Sequence, residues 1–150
     1  MPEASRDLSA PRVVIAFDYG QRRIGVACGD TISRTASPLG FVRVESSGPW
    51  QQVGALLKTW MPNLAVVGLP YNADGSESTL TGAARRFAAQ LTERFSIEVR
   101  MVDERYSSMD AQALLKEARA TGVRRRRVSK GDIDAAAAGG ILERWFTEET

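Results

Sequence analysis

Residues 13–30, "VVIAFDYGQRRIGVACGD", establish how the fold begins. Its first apolar run ends on a single carboxylate, Asp18, and a second apolar run follows a polar turn at Gly20. Two apolar runs joined by a short polar turn are typical of a β-hairpin. We therefore predict strands at 13–19 and 23–29. A charge at the end of a buried strand suggests a functional role for that residue.

The rest of the chain alternates between strand and helix patterns. The predicted elements are a strand at 36–45, a helix at 50–61, a strand at 64–70, a helix at 77–95, a strand at 97–102 and helices at 108–120 and 132–147. The strand at 64–70 is apolar throughout, which favours a central position, whereas 97–102 alternates as an edge strand does. This order predicts an α/β fold. Its mixed five-stranded sheet combines a three-strand antiparallel meander with two parallel strands and is flanked by helices.

Length and composition indicate a single globular domain. The chain has 150 residues, of which 43% are hydrophobic and 25% charged. We expect residues 1–12 to form a flexible N-terminal segment and residues 13–150 to form the domain. The lone Cys28 cannot make an internal disulfide, and no apolar stretch reaches the length of a membrane span. These features predict a soluble cytoplasmic protein with no membrane partner.

The sequence contains no histidine. This absence excludes nucleophile machinery of the Ser-His-Asp and Cys-His types, imidazole general bases and zinc sites built on histidine. Catalysis would therefore depend on carboxylates, hydroxyls, lysine, arginine or a metal ion held by oxygen atoms.

Acidic residues lie where several predicted elements begin or end. Asp18 ends the first strand, Asp103 and Glu104 follow the last strand, and Asp132 and Asp134 open the last helix. The carboxyl ends of parallel strands share one edge of a sheet, where open α/β sheets bind ligands. Carboxylates that converge there repel one another, and a bound cation relieves the repulsion. Because Mg²⁺ and Mn²⁺ prefer oxygen ligands and share sites with phosphate, the pattern predicts such an ion and, with two ions, phosphodiester cleavage.

Each acid also has an ordinary structural interpretation. Asp18 could be a turn residue of the hairpin, and Asp103 and Glu104 could be solvated charges at a strand end. Asp132 and Asp134 could cap the helix and interact with its dipole. Unrelated turn and cap residues need not meet at one edge of a sheet, however, and this coincidence favours the functional interpretation.

Basic residues are concentrated in one segment. Six basic residues and no acidic ones lie within 119–130: Arg119, Arg124, Arg125, Arg126, Arg127 and Lys130. Since the whole chain totals only +2, the remainder is net negative. Such a segment could be a solvated loop, but guanidinium groups suit a phosphodiester backbone. Arg22, Arg23 and Arg105 lie beside the acids and could contact the same backbone.

Four blocks, "FDYGQRRIGVACGD", "VVGLPYNADGSES", "VDERYSSMDAQALL" and "KGDIDAAAAGGILERW", resemble the YqgF family, also called RuvX, of the RNase H-like superfamily. The resemblance implies an RNase H-like fold and a nuclease that uses Mg²⁺ or Mn²⁺. It implies that Asp18, Glu104 and Asp134 are the catalytic residues and metal ligands, with Asp103 and Asp132 as second choices. Related resolvases have an acid after the fourth strand; here Asp74 lies several residues further along.

The resemblance leaves two substrates open. Similar bacterial proteins are candidate nucleases for the 5′ end of pre-16S rRNA or candidate resolvases of branched DNA. A resolvase is expected to be a homodimer, because two cuts must be placed across a fourfold branch, whereas an RNA-processing enzyme can be a monomer. We favour the RNA substrate. Hypotheses of another class are a non-catalytic RNA-binding protein and an actin-like nucleotide-binding module, since Asp18-Tyr19-Gly20 also fits the latter.

Overall fold

The computed structural model describes residues 12–72, 74–103 and 130–148. Its strands are β1 (Val13–Asp18), β2 (Arg23–Asp30), β3 (Ala36–Arg43), β4 (Leu64–Leu69) and β5 (Glu98–Asp103). Its helices are α1 (Trp50–Trp60), α2 (Thr79–Phe95) and α3 (Lys130–Glu148). The predictions of a flexible segment at 1–12, apart from Arg12, and of a helix at 108–120 lie outside the described residues.

The five strands form one mixed sheet in the order β3-β2-β1-β4-β5. β1 pairs antiparallel with β2, and β2 pairs antiparallel with β3, so the first three strands form the predicted meander. β4 pairs parallel with β1 and β5 pairs parallel with β4. The predicted fold class is therefore confirmed. The crossovers place the carboxyl ends of β1, β4 and β5 at one edge of the sheet.

Helices cover both faces of the sheet, and the alternation of side chains along β1 shows which helix lies on which face. Ile15 and Phe17 belong to a core cluster that includes Val53 of α1 and Leu91 of α2. The neighbouring positions, Val14 among them, belong to a second cluster with side chains of α3. Since successive strand residues point to opposite faces, the even-numbered positions of β1 lie on the α3 face.

The central strand β4 and the edge strand β5 differ as their sequence patterns predict. All six residues of β4 are buried, because helices pack on both of its faces and strands flank both of its edges. In β5, buried and exposed side chains alternate only in part, and the strand leaves residues such as Met101, which is 48% exposed, in contact with solvent. Among the described residues, no helix is both long and apolar enough to cross a membrane.

Two helix starts differ from the predicted positions. α2 begins at Thr79 rather than at residue 77, because Ser78 is its N-cap: the Ser78 hydroxyl accepts a hydrogen bond from the Thr81 backbone N–H at 3.2 Å. α3 begins at Lys130 rather than at residue 132, since the apolar pattern becomes visible only after its first turn. Its run of small residues, 135–140, is buried against the sheet.

Candidate active site

Asp18 is the last residue of β1, and both of its neighbours in the sheet are glycines. It is paired with Gly25 on β2 and with Gly68 on β4. Neither neighbour has a side chain, and paired residues of adjacent strands present the same face. Asp18 therefore lies half-buried on the α3 face, at the carboxyl edge of the sheet.

The backbone of α3 reaches this face at Gly25. A Cβ atom added to Gly25 would lie 1.9 Å from the carbonyl oxygen of Asp134 and 3.2 Å from its Cα. Only a glycine permits so close an approach of helix to strand. Because antiparallel partners are about 5 Å apart at Cα, the backbone of Asp134 rests beside the residue directly opposite Asp18. The structure thus brings Asp18 and Asp134 to the same face and the same edge of the sheet.

Asp134 is held by an arginine of β2. Arg23 donates a hydrogen bond from Nε to Asp134 Oδ2 at 2.6 Å, and the two side chains are 32% and 23% exposed. Arg23 is predicted from the sequence to contact nucleic acid, but its guanidinium group binds an acid of the candidate site. Sequence reasoning missed this pair, since the two residues are 111 positions apart and no local pattern links them.

Asp103 lies at the same edge as Asp18 but on the other face. It is the last residue of β5, within the strand rather than after it, and it is level with Leu69 of β4, which packs in the α1–α2 cluster. Asp18, by contrast, is level with Gly68 and Val102, and Val102 packs against α3. This placement argues against Asp103 as the partner of Asp18. Its neighbour Glu104 lies outside the described residues.

The remaining acids have structural surroundings of their own. Asp132 lies in the first turn of α3, where its charge interacts favourably with the helix dipole, and residues two apart on a helix do not share a face. It therefore does not point in the direction of Asp134. Asp74 lies in an exposed turn, where its carboxylate accepts hydrogen bonds from Ser76 N at 2.9 Å and Ser76 Oγ at 2.6 Å.

The donor atoms at this edge suit a hard divalent cation. Within residues 12–72, 74–103 and 130–148, no three His, Cys, Asp or Glu residues are grouped to hold a metal ion. The described part supplies two carboxylates, Asp18 and Asp134, and the predicted third acid, Glu104, is not among these residues. Carboxylate oxygens fit Mg²⁺ or Mn²⁺, and the Asp134 carboxylate already binds one cation, the guanidinium group of Arg23.

The predicted basic contacts are only partly described. Arg22 lies in the exposed turn between β1 and β2, next to the candidate site, and its side chain makes no hydrogen bond or ion pair with a described residue. Lys130 begins α3. Arg105, Arg124, Arg125, Arg126 and Arg127 lie outside the described residues, so their role as nucleic-acid contacts stays a prediction.

The sequence is similar to one family along almost its whole length. A family model described as RuvX, Holliday junction resolvase, matches residues 12–148. A protein of Yersinia pestis (strain Pestoides F), named as a proposed pre-16S rRNA nuclease, is 48% identical over 141 residues, covering 93% of this chain and 98% of the relative. A protein of the same name from Yersinia pseudotuberculosis serotype IB (strain PB1/+) is 47% identical over 141 residues.

Two solved structures show the same architecture. Thermus thermophilus RuvC in complex with a Holliday junction substrate superposes with a TM-score of 0.56 and 16% identity, covering 92% of this chain and 95% of that one. The yeast mitochondrial Holliday junction resolvase Ydc2 gives a TM-score of 0.52 with 9% identity, over 89% of this chain and 77% of that one. At these identities the likeness establishes the fold alone, which is RuvC-like and of the RNase H type.

Proposed function

The chain belongs to the RuvX family of Holliday junction resolvases, and on that premise we propose that it is a divalent-metal-dependent nuclease that processes the 5′ end of pre-16S rRNA. It is a hydrolase of phosphodiester bonds, and its substrate is a nucleic acid. The observation that supports a metal-dependent site is the close approach of Asp134 to Gly25, directly opposite Asp18.

The proposed catalytic and metal-binding residues are Asp18, Asp134 and Glu104, holding Mg²⁺ or Mn²⁺. A divalent ion, when bound, stabilises the negative charge that develops on the phosphate oxygens. Asp18 is held in place by strand pairing on both sides, and Asp134 is oriented by its bond to Arg23. Because the chain has no histidine, proton transfer in this proposal falls to carboxylates, other oxygen or nitrogen side chains, or water.

The arginines near the site bind the substrate backbone in this proposal. Arg22 lies at the exposed hairpin turn, and the sequence offers further basic residues for the same role at Arg105, Arg124 to Arg127 and Lys130. Guanidinium groups contact phosphates without reading sequence, so these residues would contribute affinity rather than cleavage specificity. Binding should therefore weaken as the salt concentration rises.

A second candidate substrate is a four-way DNA junction. The description of the family supports it, whereas the names of the relatives at 47–48% identity support ribosomal RNA. A resolvase would act as a homodimer, because two symmetric cuts are needed, and an RNA-processing enzyme can act as a monomer. We favour the RNA substrate and propose that the protein acts in the cytoplasm.

Cleavage of a labelled pre-16S rRNA leader and of a labelled four-way DNA junction, each with Mg²⁺ or Mn²⁺, tests the proposal. We expect Asp18→Asn to lower the cleavage rate by at least about 100-fold, the lower end of what one catalytic group contributes. Binding should be retained, since asparagine has the same shape and removes a negative charge. Asp74→Asn is the matched control and should cut like the wild type, because Asp74 lies in a turn.

The two substrates give distinct outcomes. Cutting of the RNA leader alone supports the rRNA role, and cutting of the junction by a dimer supports the resolvase. If Asp18→Asn cuts both substrates at the wild-type rate, the activity belongs to a contaminating nuclease and the proposal fails. Alanine at Arg124 to Arg127 should weaken binding of either substrate and leave the Asp18 effect unchanged.

A further inference from the structure

A cleft opens at the same sheet edge as Asp18 but on the other face. Its volume is about 230 Å³, and the residues that matter to its chemistry are Tyr19, Trp50, Arg86, Phe87 and Gln90. Sites for whole drug-sized ligands have volumes of roughly 300–1,000 Å³. This cleft is therefore suited to a smaller group, such as one planar ring system.

The position of Tyr19 places the cleft next to the candidate active site. Tyr19 directly follows Asp18, so their Cα atoms are about 3.8 Å apart. Tyr19 packs against the α1–α2 cluster, while Asp18 lies on the α3 face. A strand of nucleic acid that crosses this edge with one phosphate at Asp18 would bring a neighbouring nucleotide to the cleft.

The wall of the cleft is aromatic and already ordered. The rings of Trp50 and Phe87 are stacked, with centroids 5.3 Å apart and planes 16° apart. The ring of Tyr19 lies 5.2 Å from that of Phe87. Aromatic side chains are the usual contacts of unstacked bases. Phe87 is buried, and Trp50 stacks on Phe87 and also carries the Arg94 guanidinium group over its ring, 4.5 Å from the centroid. The half-buried Tyr19 is therefore the ring of the cleft on which a base would stack, and the other two rings hold it in place.

Two polar side chains complete the cleft. Arg86 and Gln90 are one helical turn apart on α2, at the spacing that places residues on one face. Arg86 is exposed, and neither side chain makes a hydrogen bond or ion pair with any residue in the described ranges. A guanidinium group suits a phosphate or the face of a base, and an amide suits the polar edge of a base.

We propose that this cleft, called here the Tyr19 cleft, binds one unstacked base of the substrate strand beside the phosphate that is cut. The inference rests on the proposed nuclease function and adds to it a substrate feature. A base within a regular duplex is stacked and cannot enter the cleft. The enzyme therefore requires a single-stranded or locally opened strand at the cleavage position.

Binding measured in the Asp18→Asn background separates recognition from cutting. The probes are a single-stranded RNA, a DNA of the same sequence and the corresponding duplexes, together with single strands that carry one abasic nucleotide at successive positions. The variants are Arg86→Ala and Gln90→Ala, which change surface groups of α2. Lys58→Ala is the control, because it also removes a surface side chain and a positive charge. Lys58 lies in the last turn of α1 and does not line the cleft.

We expect removal of the base and alteration of the cleft to weaken binding through loss of the same interaction. In the Asp18→Asn protein with an unaltered cleft, an abasic nucleotide next to the cleavage position should weaken binding of the strand by about 10-fold, within the range for one base stacked on a protein ring. Gln90→Ala should weaken binding of the intact strand but add little to the abasic defect. The same variants in the cutting enzyme should raise KM, and Lys58→Ala should have no such effect.

Two results would overturn the cleft proposal. One is equal affinity for intact and abasic strands at every position; the other is binding by Arg86→Ala and Gln90→Ala that matches Lys58→Ala. In either case, inactive Asp18→Asn beside an active wild type would leave the nuclease proposal standing. Conversely, if binding depends on the base but the protein cuts neither RNA nor DNA, the nuclease proposal is rejected, whereas the cleft remains a site for an unstacked base.

Discussion

Arg23 of β2 donates a hydrogen bond from Nε to Oδ2 of Asp134 in α3 at 2.6 Å, and this ion pair joins the hairpin of β1 and β2 to the helix that packs on it. Both side chains are about one-quarter to one-third exposed, so the pair is neither fully screened by water nor deeply desolvated. It neutralises one of the two described acids at the candidate site. A divalent cation that binds Asp134 must share this carboxylate with the guanidinium group.

We expect Arg23→Ala to increase the stabilisation that Mn²⁺ confers. The variant should lose about 1 kcal/mol of unfolding free energy without metal, as for a partly exposed ion pair. With Mn²⁺ its gain in Tm should exceed that of the wild type, because the ion no longer competes with a guanidinium group. Thermal unfolding with and without Mn²⁺ measures both. Arg22→Ala should match the wild type, and an equal Mn²⁺ shift in Arg23→Ala would contradict competition.

We expect Gly25→Ala to disrupt the contact between β2 and α3. The new Cβ would lie 1.9 Å from the carbonyl oxygen of Asp134, so the helix must move. The cost should be about 3 kcal/mol, at the upper end for an overpacked core, and cleavage should fall because Asp134 is displaced. Denaturant unfolding and the cleavage assay measure the two effects.

Gly139→Ala is the matched control for Gly25→Ala. Its Cβ would make only ordinary contacts, 3.9 Å from Ala36 and Pro38, and alanine is the better helix former. We expect this variant to gain up to about 1 kcal/mol. A stable, fully active Gly25→Ala protein would show that α3 does not need this close approach to position Asp134.

We expect Thr81→Val to destabilise the start of α2. Thr81 is fully buried, and its hydroxyl donates to the carbonyl oxygen of Pro70 at 2.6 Å and accepts from the Ser78 backbone N–H at 3.0 Å. Valine keeps the shape but removes both bonds: the Ser78 N–H loses this partner, and the Pro70 carbonyl keeps only the longer bond from the Ser78 hydroxyl at 3.3 Å. The cost should be about 1–3 kcal/mol. Denaturant unfolding measures the loss. Thr79→Val changes an exposed residue two positions earlier, and a loss equal to that of Thr81→Val would assign the effect to helix propensity instead.

We expect Asp30→Asn to remove an acid-dependent part of the stability. The backbone N–H of Ser33 donates to Asp30 Oδ1 at 2.8 Å, and this bond, with a second from Ile32, holds the pKa of the Asp30 carboxyl below its ordinary value. A lowered pKa in the folded state stabilises the fold above the unfolded-state pKa, which is about 4 for aspartate, and the benefit is lost as pH falls through the folded value.

The stability difference between the wild type and Asp30→Asn should therefore be constant near neutral pH and shrink as the pH falls below about 4. Chemical unfolding at a series of pH values measures it. Glu93→Gln, which changes an exposed acid of α2, serves as the control for replacing a surface carboxylate by its amide. A difference that is the same at pH 3 and pH 7 would show that the bonds from Ser33 and Ile32 do not depend on the charge.

The arrangement of elements follows from patterns that are local in the chain. The apolar runs of β1 and β4 are short and continuous because these strands lie at the centre of the sheet, and the alternation in β5 reflects its position at the edge. The placement of Asp18 at a strand end could be predicted for the same reason. The helix starts were displaced by up to two residues, since caps such as Ser78 depend on individual hydrogen bonds.

The order of the described strands and helices and the end of β1 at a carboxylate could be predicted from the sequence, because each follows from neighbouring residues, and the absence of histidine follows from composition. The ion pair between Arg23 and Asp134, and the position of Asp103 on the face opposite Asp18, are visible only in the folded chain. Those relationships join residues far apart in the chain, and they depend on strand register and on how closely α3 packs at Gly25. Register and packing result from the whole core, so no single segment encodes them.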